Sequence, residues 1–332
     1  MGEFDLIARY FKRPARRAAL GVGDDCALLQ PAAGTQLAIS SDMLVEGRHF
    51  LSTVDPRRLG HKALAVNLSD LAACGAKPFA FTLALALPRV DENWLAGFSE
   101  GLLALADAHD CELIGGDTTR GPLNICITVF GEVPLVNGLS QALLRSGAQA
   151  GNDLYVSGAL GDARIALEVF RGTLSVPTPV FEMARLRMEQ PTPRVALGLA
   201  LRGIATAAID ISDGLLGDLG HILTQSGVGA TVQADAAAAL IASRVAYDKA
   251  GGLRGDQIST DQWRGWALAG GDDYELLFSA PACARSQVAQ AADSSQTVVS
   301  RIGRIEQERG LRLVDAVGQT LPNGYSSFDH FA

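Results

Sequence analysis

Lysine is scarce in this sequence. Among 332 residues there are only four, Lys12, Lys62, Lys77 and Lys249, and 28 basic residues face 36 acidic ones for a net charge of −8. A general binder of nucleic acid or of an anionic membrane needs a basic surface, so the balance argues against both classes. None of the four lysines follows a glycine, which removes the Walker A phosphate loop. The H-R-D and D-F-G signatures of protein kinases are missing too. The five cysteines, Cys26, Cys74, Cys111, Cys126 and Cys283, are scattered, odd in number and without a C-x-x-C pair. That argues against a disulfide framework or a zinc site and for reduced thiols in the cytoplasm. No basic-then-apolar leader opens the chain. The longest apolar run, Phe79 to Leu87, is too short to span a membrane.

What remains is an ordinary globular composition, 48% hydrophobic and 19% charged, on a chain long enough for two domains. Leu6, Ile7, Tyr10 and Phe11 predict a short helix over 3–12. Strands are expected at 26–29 and 37–39, the second delivering Ser40-Ser41-Asp42 at its carboxyl end. A helix over 57–74, a buried strand over 79–87 and a helix over 92–109 follow. Strand 111–114 leads into a loop, Gly115-Gly116-Asp117-Thr118-Thr119, and a further strand covers 123–133, bent or ended near Gly131. Pro134 to Gly138 marks a boundary that divides the chain into domains 1–137 and 138–332. Beyond it, strands are expected at 153–157, 207–211, 274–279, 297–304 and 310–314. Helices are expected at 162–171, 181–189, 194–202, from the Ser212-Asp213 cap to 226, and at 283–293; residues 234–256 read as partly irregular. The alternation predicts an α/β fold.

The chemistry lies in acids set among glycine, serine and threonine. A lone Asp in a loop is usually a turn former or a cap, and Asp213 could cap its helix. Five such stretches together mean more: Gly23-Asp24-Asp25, Ser40-Ser41-Asp42, Asn67-Leu68-Ser69-Asp70, Gly115-Gly116-Asp117-Thr118-Thr119 and Asp210-Ile211-Ser212-Asp213. Clustering these carboxylates would be costly without cations, and oxygen-only donors favour Mg²⁺ or Mn²⁺ over zinc. Asp70, late in a helix, opposes the macrodipole and needs a compensating partner. Mg²⁺ on carboxylates points to phosphate chemistry. Without a Walker loop, an ATP site here must use metals, backbone N–H groups and a few arginines, with Arg145 the best placed. His109 could stack on a base; His61 and His221 carry no role. Gly270-Gly271-Asp272-Asp273-Tyr274-Glu275-Leu276 repeats the glycine–acid theme, and Asp272 could face a cationic substrate group. The tail Tyr325-Ser326-Ser327-Phe328-Asp329-His330-Phe331 could dock on the core or wall a ring-shaped substrate.

These blocks, with Gly2-Glu3-Phe4, Arg145-Ser146-Gly147 and Ile209-Asp210-Ile211-Ser212-Asp213-Gly214-Leu215, resemble the thiamine-monophosphate kinases in order and over essentially the whole chain. The resemblance implies a two-domain fold of the aminoimidazole-ribonucleotide-synthetase type, with N-terminal sheets pairing in a homodimer and a C-terminal α/β sandwich. It implies transfer of a phosphoryl group from ATP to thiamine monophosphate, giving thiamine diphosphate. By motif, Asp25, Ser40, Ser41, Asp42, Asp70, Asp117, Asp210 and Asp213 are similar to Mg²⁺ ligands, with Asp42, Asp117, Asp210 and Asp213 at the reacting centre. Gly116, Asp117, Arg145 and Ser212 are similar to ATP contacts, and His49, Asp272 and Phe328 to substrate contacts. A monovalent cation is left open as a further cofactor. The chain departs from the family with Asp272 for Glu, Ser41 for Thr, His109 for Tyr, and a Phe328 lacking the hydroxyl of some relatives. The alternatives are another ATP-dependent enzyme of the superfamily and a non-catalytic nucleotide-binding protein.

Overall fold

The computed structural model describes residues 2–249 and 258–325. Contacts divide the chain into two compact units, one made of Met1–Leu71 and Gly75–Ala142, the other of Ala72–Cys74 and Leu143–Ala332. The first unit carries α1 (Glu3–Tyr10), β1 (Thr35–Val45), α2 (Pro56–Ala73), β2 (Lys77–Leu87), α3 (Glu92–Ala108), β3 (Glu112–Arg120), β4 (Asn124–Val136) and β5 (Leu139–Ser140). Its sheet runs β1-β4-β2-β3, with β5 on β4. Only the β2–β3 pair is parallel, the arrangement a strand–helix–strand crossover through α3 produces. Alternation along β4 buries Ile125, Ile127 and Val129. They form a core with Phe81 and Leu85 of β2, Leu64, Leu68 and Leu71 of α2, and Phe98 and Leu102 of α3. On β1 the odd-numbered apolar residues face outward instead, leaving Leu37, Ile39 and Met43 40%, 61% and 53% exposed.

The second unit continues with β6 (Asn152–Ser157), α4 (Asp162–Phe170), α5 (Thr178–Glu189), α6 (Val195–Ala200), β7 (Ala207–Asp210), α7 (Leu215–Ser226), β8 (Gly229–Gln233), α8 (Ala234–Ala238) and α9 (Ala242–Lys249). After α10 (Thr260–Ala269) come β9 (Leu276–Pro281), α11 (Arg285–Ser294), β10 (Val299–Glu306), β11 (Gly310–Val314) and β12 (Thr320–Leu321). The sheet order is β12-β11-β8-β10-β6-β9-β7. Leu154, Val156, Ile209, Leu277, Ile302 and Ile305 from its strands pack with Leu215, Leu219, Ile222 and Leu223 of α7.

Three local expectations are corrected. Ser40–Asp42 lies in the middle of β1, which runs on to Val45 because all eleven residues pair with β4. Gly115–Thr119 continues β3, held in register against Thr82–Ala86 of β2; neighbouring-strand hydrogen bonds override the turn preference of glycine and aspartate. Cys26–Leu29 contributes a single bridge, Leu20 to Leu28, rather than a strand. Residues 234–238 and 242–249 are helical and 239–241 link them through a turn, in keeping with a partly irregular stretch. α10 escaped the periodicity reading, although its N-terminus is a capping box of Ser259 and Gln262.

Candidate functional site

In the first unit the polar edge of α2 docks on β1. Strand alternation puts Ser40 and Asp42 on one face and Ser41 on the other. The Ser40 hydroxyl donates to the Asp70 carboxylate, so a hydroxyl is part of the compensation this late-helix acid needs. The Asp42 N–H donates to Asn67 Oδ1 at 3.1 Å, and Asn67 Nδ2 donates to the Ala63 carbonyl at 3.0 Å. Buried Asn67 thus ties the helix to the backbone of the predicted ligand strand. Ser41 Oγ is engaged with Thr128 Oγ1 at 2.9 Å and donates to the Ile127 carbonyl at 3.2 Å.

A cleft of about 730 Å³ brings Asp24 and Asp25 to Gly115, Gly116, Asp117 and Thr118, with Glu3, Phe4 and Ile7 of α1 and its C-cap Phe11 in the lining. Gly116 has φ +144°, and a Cβ there would lie 1.8 Å from the Leu83 carbonyl oxygen, so only glycine fits against β2. The rings in this lining are Phe4 and Phe11. His109 instead closes α3, where burial and nearby His61 lower its pKa. Glu112, at the start of β3, accepts backbone N–H groups from Arg16, Arg17 and Ala18. Burial would raise its pKa, but the three amides hold it below the ordinary value.

His49 lies in the tight turn after β1. Its Nδ1 accepts the Val45 N–H at 3.0 Å, which places the proton of the neutral ring on Nε2. Buried Lys62 donates to the His49 carbonyl at 3.2 Å and steadies the turn.

In the second unit Asp210 ends β7, opposite Leu276 of β9. Ser212 and Asp213 were expected to cap α7, but neither is its cap. Gly214 holds that position without a side-chain bond, and Asp218, from the first turn, reaches back to accept N–H groups from Ser212 at 3.0 Å and Asp213 at 3.1 Å. Burial, and then the neighbouring Asp213 charge, push the Asp218 carboxyl up to about 7, against the two amides and Arg145. Arg145 is exposed. Its segment is tied down by Ser226, whose hydroxyl donates to the Arg145 carbonyl at 3.3 Å and accepts N–H groups from Gly147 and Ala148 at 3.1 Å each. The Asp272 N–H donates to the Ser212 carbonyl at 2.7 Å, which brings the predicted substrate acid beside the Asp210–Asp213 segment. Buried Asp273 accepts the Gly161 N–H at 2.9 Å through Oδ1, while Oδ2 has no hydrogen-bond partner among the described residues. Burial holds this carboxyl well above the ordinary carboxylate range.

Asp218 was missed in the sequence because an acid in the first turn of a helix reads as a dipole partner. Its signal was its place among Leu215, Leu216 and Leu219, where an acid is buried. Phe328 lies outside the described residues. Among the described residues no three His, Cys, Asp or Glu side chains are arranged to hold a metal by themselves. The donors are nevertheless hard oxygens, and Mg²⁺ keeps waters and takes substrate phosphates with one or two carboxylates. Asp24, Asp25 and Asp117 in one cleft, and Asp210 at the end of β7 with Asp213 in the bend that follows, fit that demand.

Comparison with known proteins decides the family. Residues 23–133 match AIR synthase related protein, N-terminal domain, and residues 149–316 match AIR synthase related protein, C-terminal domain. A thiamine-monophosphate kinase of Salmonella typhimurium is 45% identical over 338 residues, covering all of this chain and 98% of the relative. The chain belongs to the thiamine-monophosphate kinase family. The crystal structure of a family member from Stenotrophomonas maltophilia is 46% identical and covers 93% of this chain and 94% of its own, with TM-score 0.80. A further structure, AaThiL complexed with AMPPCP and TMP, is 27% identical over 91% of this chain and 89% of its own, with TM-score 0.73. The chain therefore has the two-domain fold of this family.

Proposed function

We propose that the chain transfers the γ-phosphoryl group of ATP to thiamine monophosphate, giving thiamine diphosphate and ADP, the last step in making that cofactor. The carrying observation is that a full-length match to the kinases coincides with an intact acid set. In this reading 1–137 form a domain with the metal and ATP site and a dimer interface, and 138–332 a domain of ATP and substrate contacts. Asp25, Ser40, Ser41, Asp42, Asp70, Asp117, Asp210 and Asp213 would hold Mg²⁺. Bound Mg²⁺ would neutralise phosphate charge and align the reacting groups.

Gly116 offers close backbone approach to a phosphate, Asp117 and Ser212 offer oxygen contacts, and Arg145 offers a cation. The acceptor is a phosphate oxygen already ionised near neutral pH, so no general base is required. His49, neutral and protonated at Nε2, would donate to the substrate and orient it. Asp272 would face the cationic ring of thiamine monophosphate, with Phe328 as an aromatic wall. Positioning and charge neutralisation carry the reaction, so transfer is direct.

The outward Leu37, Ile39 and Met43 support pairing of N-terminal sheets in a homodimer. No described helix is long and apolar enough to cross a membrane. The acidic balance favours an enzyme of the cytoplasm that binds neither an anionic membrane nor nucleic acid. The test is chromatography of the products from ATP, Mg²⁺ and thiamine monophosphate, with and without K⁺ and with thiamine as a parallel acceptor. Thiamine diphosphate from the monophosphate alone supports the reading. Bound ATP without product would favour another reaction of the superfamily or a nucleotide-binding protein.

A further inference from the structure

Glu275 has no exposed surface, yet its carboxyl group sits between the guanidinium groups of Arg187 and Arg194. Its Oε2 accepts from Ser157 Oγ at 2.6 Å and Arg194 Nε at 2.6 Å. Its Oε1 accepts from Arg194 Nη2 at 2.6 Å, Arg187 Nη2 at 2.7 Å and the Ala159 N–H at 3.3 Å. The carboxylate is pressed onto bare backbone, since a Cβ on Gly158 would lie 2.0 Å from Oε1. Desolvating one carboxylate and two guanidiniums offsets much of their attraction, so such a cluster is a weak source of stability and a strong source of geometry.

That geometry is transmitted along the backbone. Ile211 N–H donates to the Glu275 carbonyl at 2.8 Å, Tyr274 N–H to the Ile211 carbonyl at 2.8 Å, and Asp272 N–H to the Ser212 carbonyl at 2.7 Å. The Leu276 N–H donates to Ser157 Oγ at 2.8 Å and fixes the other side. Between these ties the chain holds two non-glycine residues in the left-handed region, Asp272 at φ +64° and Tyr274 at φ +51°. Such residues persist only where their surroundings over-determine them, and they concentrate at functional sites.

We infer that Arg194 and Glu275, with Arg187 as a supporting contact, form a clamp around a buried carboxylate that fixes the segments Asp210–Asp213 and Gly271–Tyr274 against each other, and that Arg194 and Glu275 are positioning residues for the site. The role in phosphoryl transfer rests on the function proposed above; the clamp itself does not. A displacement of about 1 Å at a reacting centre can cost on the order of a hundredfold in rate, which gives such a clamp its use.

The test is amide hydrogen exchange on the full chain for wild type, Arg194→Lys and Glu275→Gln, alongside steady-state kinetics with ATP and thiamine monophosphate. Arg194→Lys keeps the charge and loses the two-pronged contact. Exchange at Ile211, Asp272 and Tyr274 is expected to rise about tenfold or more as these bonds open locally, while β8 and β10 stay protected. The kcat is expected to fall between about tenfold and a hundredfold. Arg187→Lys, which leaves both Arg194 contacts in place, should retain most of the protection and most of the rate. Unchanged exchange at these amides in folded Arg194→Lys overturns the inference. So does a uniform rise across the sheet with kcat falling only in step with the folded fraction. Should Glu275→Gln fail to fold, Arg194→Lys decides alone. If wild type makes no thiamine diphosphate, the proposed function fails, while the exchange data still decide on the clamp.

Discussion

The Asp218 carboxylate accepts the backbone N–H of Asp213 at 3.1 Å, so an acid one turn into α7 sets where the preceding acid points. The same oxygen accepts the Ser212 N–H, and an asparagine carbonyl could do both jobs. Asp218→Asn is therefore expected to stay within about threefold of wild-type kcat, whereas Asp218→Ala, which frees both amides, should lose roughly tenfold to a hundredfold. Steady-state kinetics on the two variants checks this. Equal loss in both would mean that the charge matters and the hydrogen bonds do not.

Gly116 is expected to tolerate no side chain. Alanine there would meet the Leu83 carbonyl at 1.8 Å and keep an unfavourable φ of +144°. Gly116→Ala should lower unfolding stability by ~2 kcal/mol or more, from overpacking and backbone strain together. Chemical denaturation measures it; a change within about 0.5 kcal/mol, the range of neutral surface substitutions, would show that β3 moves freely off β2.

How much of this was visible in the sequence depends on what kind of force decides each feature. α2 and α3 follow from spacing: Leu95, Phe98 and Leu102 bury along one face of α3, and Leu59, Ala63 and Val66 share a face of α2, which is buried on its other sides as well. The acid blocks were legible because few local roles suit so many carboxylates beside glycine and hydroxyls. Gly115–Thr119 was misjudged because its strand state comes from β2, over thirty residues earlier in the chain. Asp218 and Glu275 were overlooked for a related reason. Their partners, backbone amides in one case and Arg187 and Arg194 in the other, are brought to them only by the tertiary fold.

Glu112 gives a pH dependence with a defined sign. Its folded pKa lies below the ordinary 4.5, so the ionised form is favoured by folding. Its stabilising contribution is fully present above the unfolded value and is lost as pH falls below about 4.5 through the folded value. Wild type should exceed Glu112→Gln in stability above pH ~5, with the difference shrinking toward acid as the carboxyl protonates. Denaturation at a series of pH values tests it. A difference that grows toward acid would reverse the assignment.

The outward face of β1 predicts the assembly. Ile39, 61% exposed, lies at the middle of that face. Wild type is expected to run at twice the 34.8 kDa chain mass, and Ile39→Asp at the single-chain mass, because a charge would be desolvated in an apolar sheet interface. Light scattering after size exclusion reads both. A wild-type monomer, or an unaffected Ile39→Asp dimer, would place the interface elsewhere or remove it.

The most direct test of the account follows the phosphoryl group itself. ATP labelled at the γ-phosphorus is incubated with Mg²⁺, thiamine monophosphate and wild-type chain, and with Asp42→Asn in parallel, and quenched over the first turnovers. Direct transfer at this site predicts label in the terminal phosphate of thiamine diphosphate, none on the protein at any time, and little product with Asp42→Asn. Label appearing first on the protein, or wild-type product formation by Asp42→Asn, would contradict it.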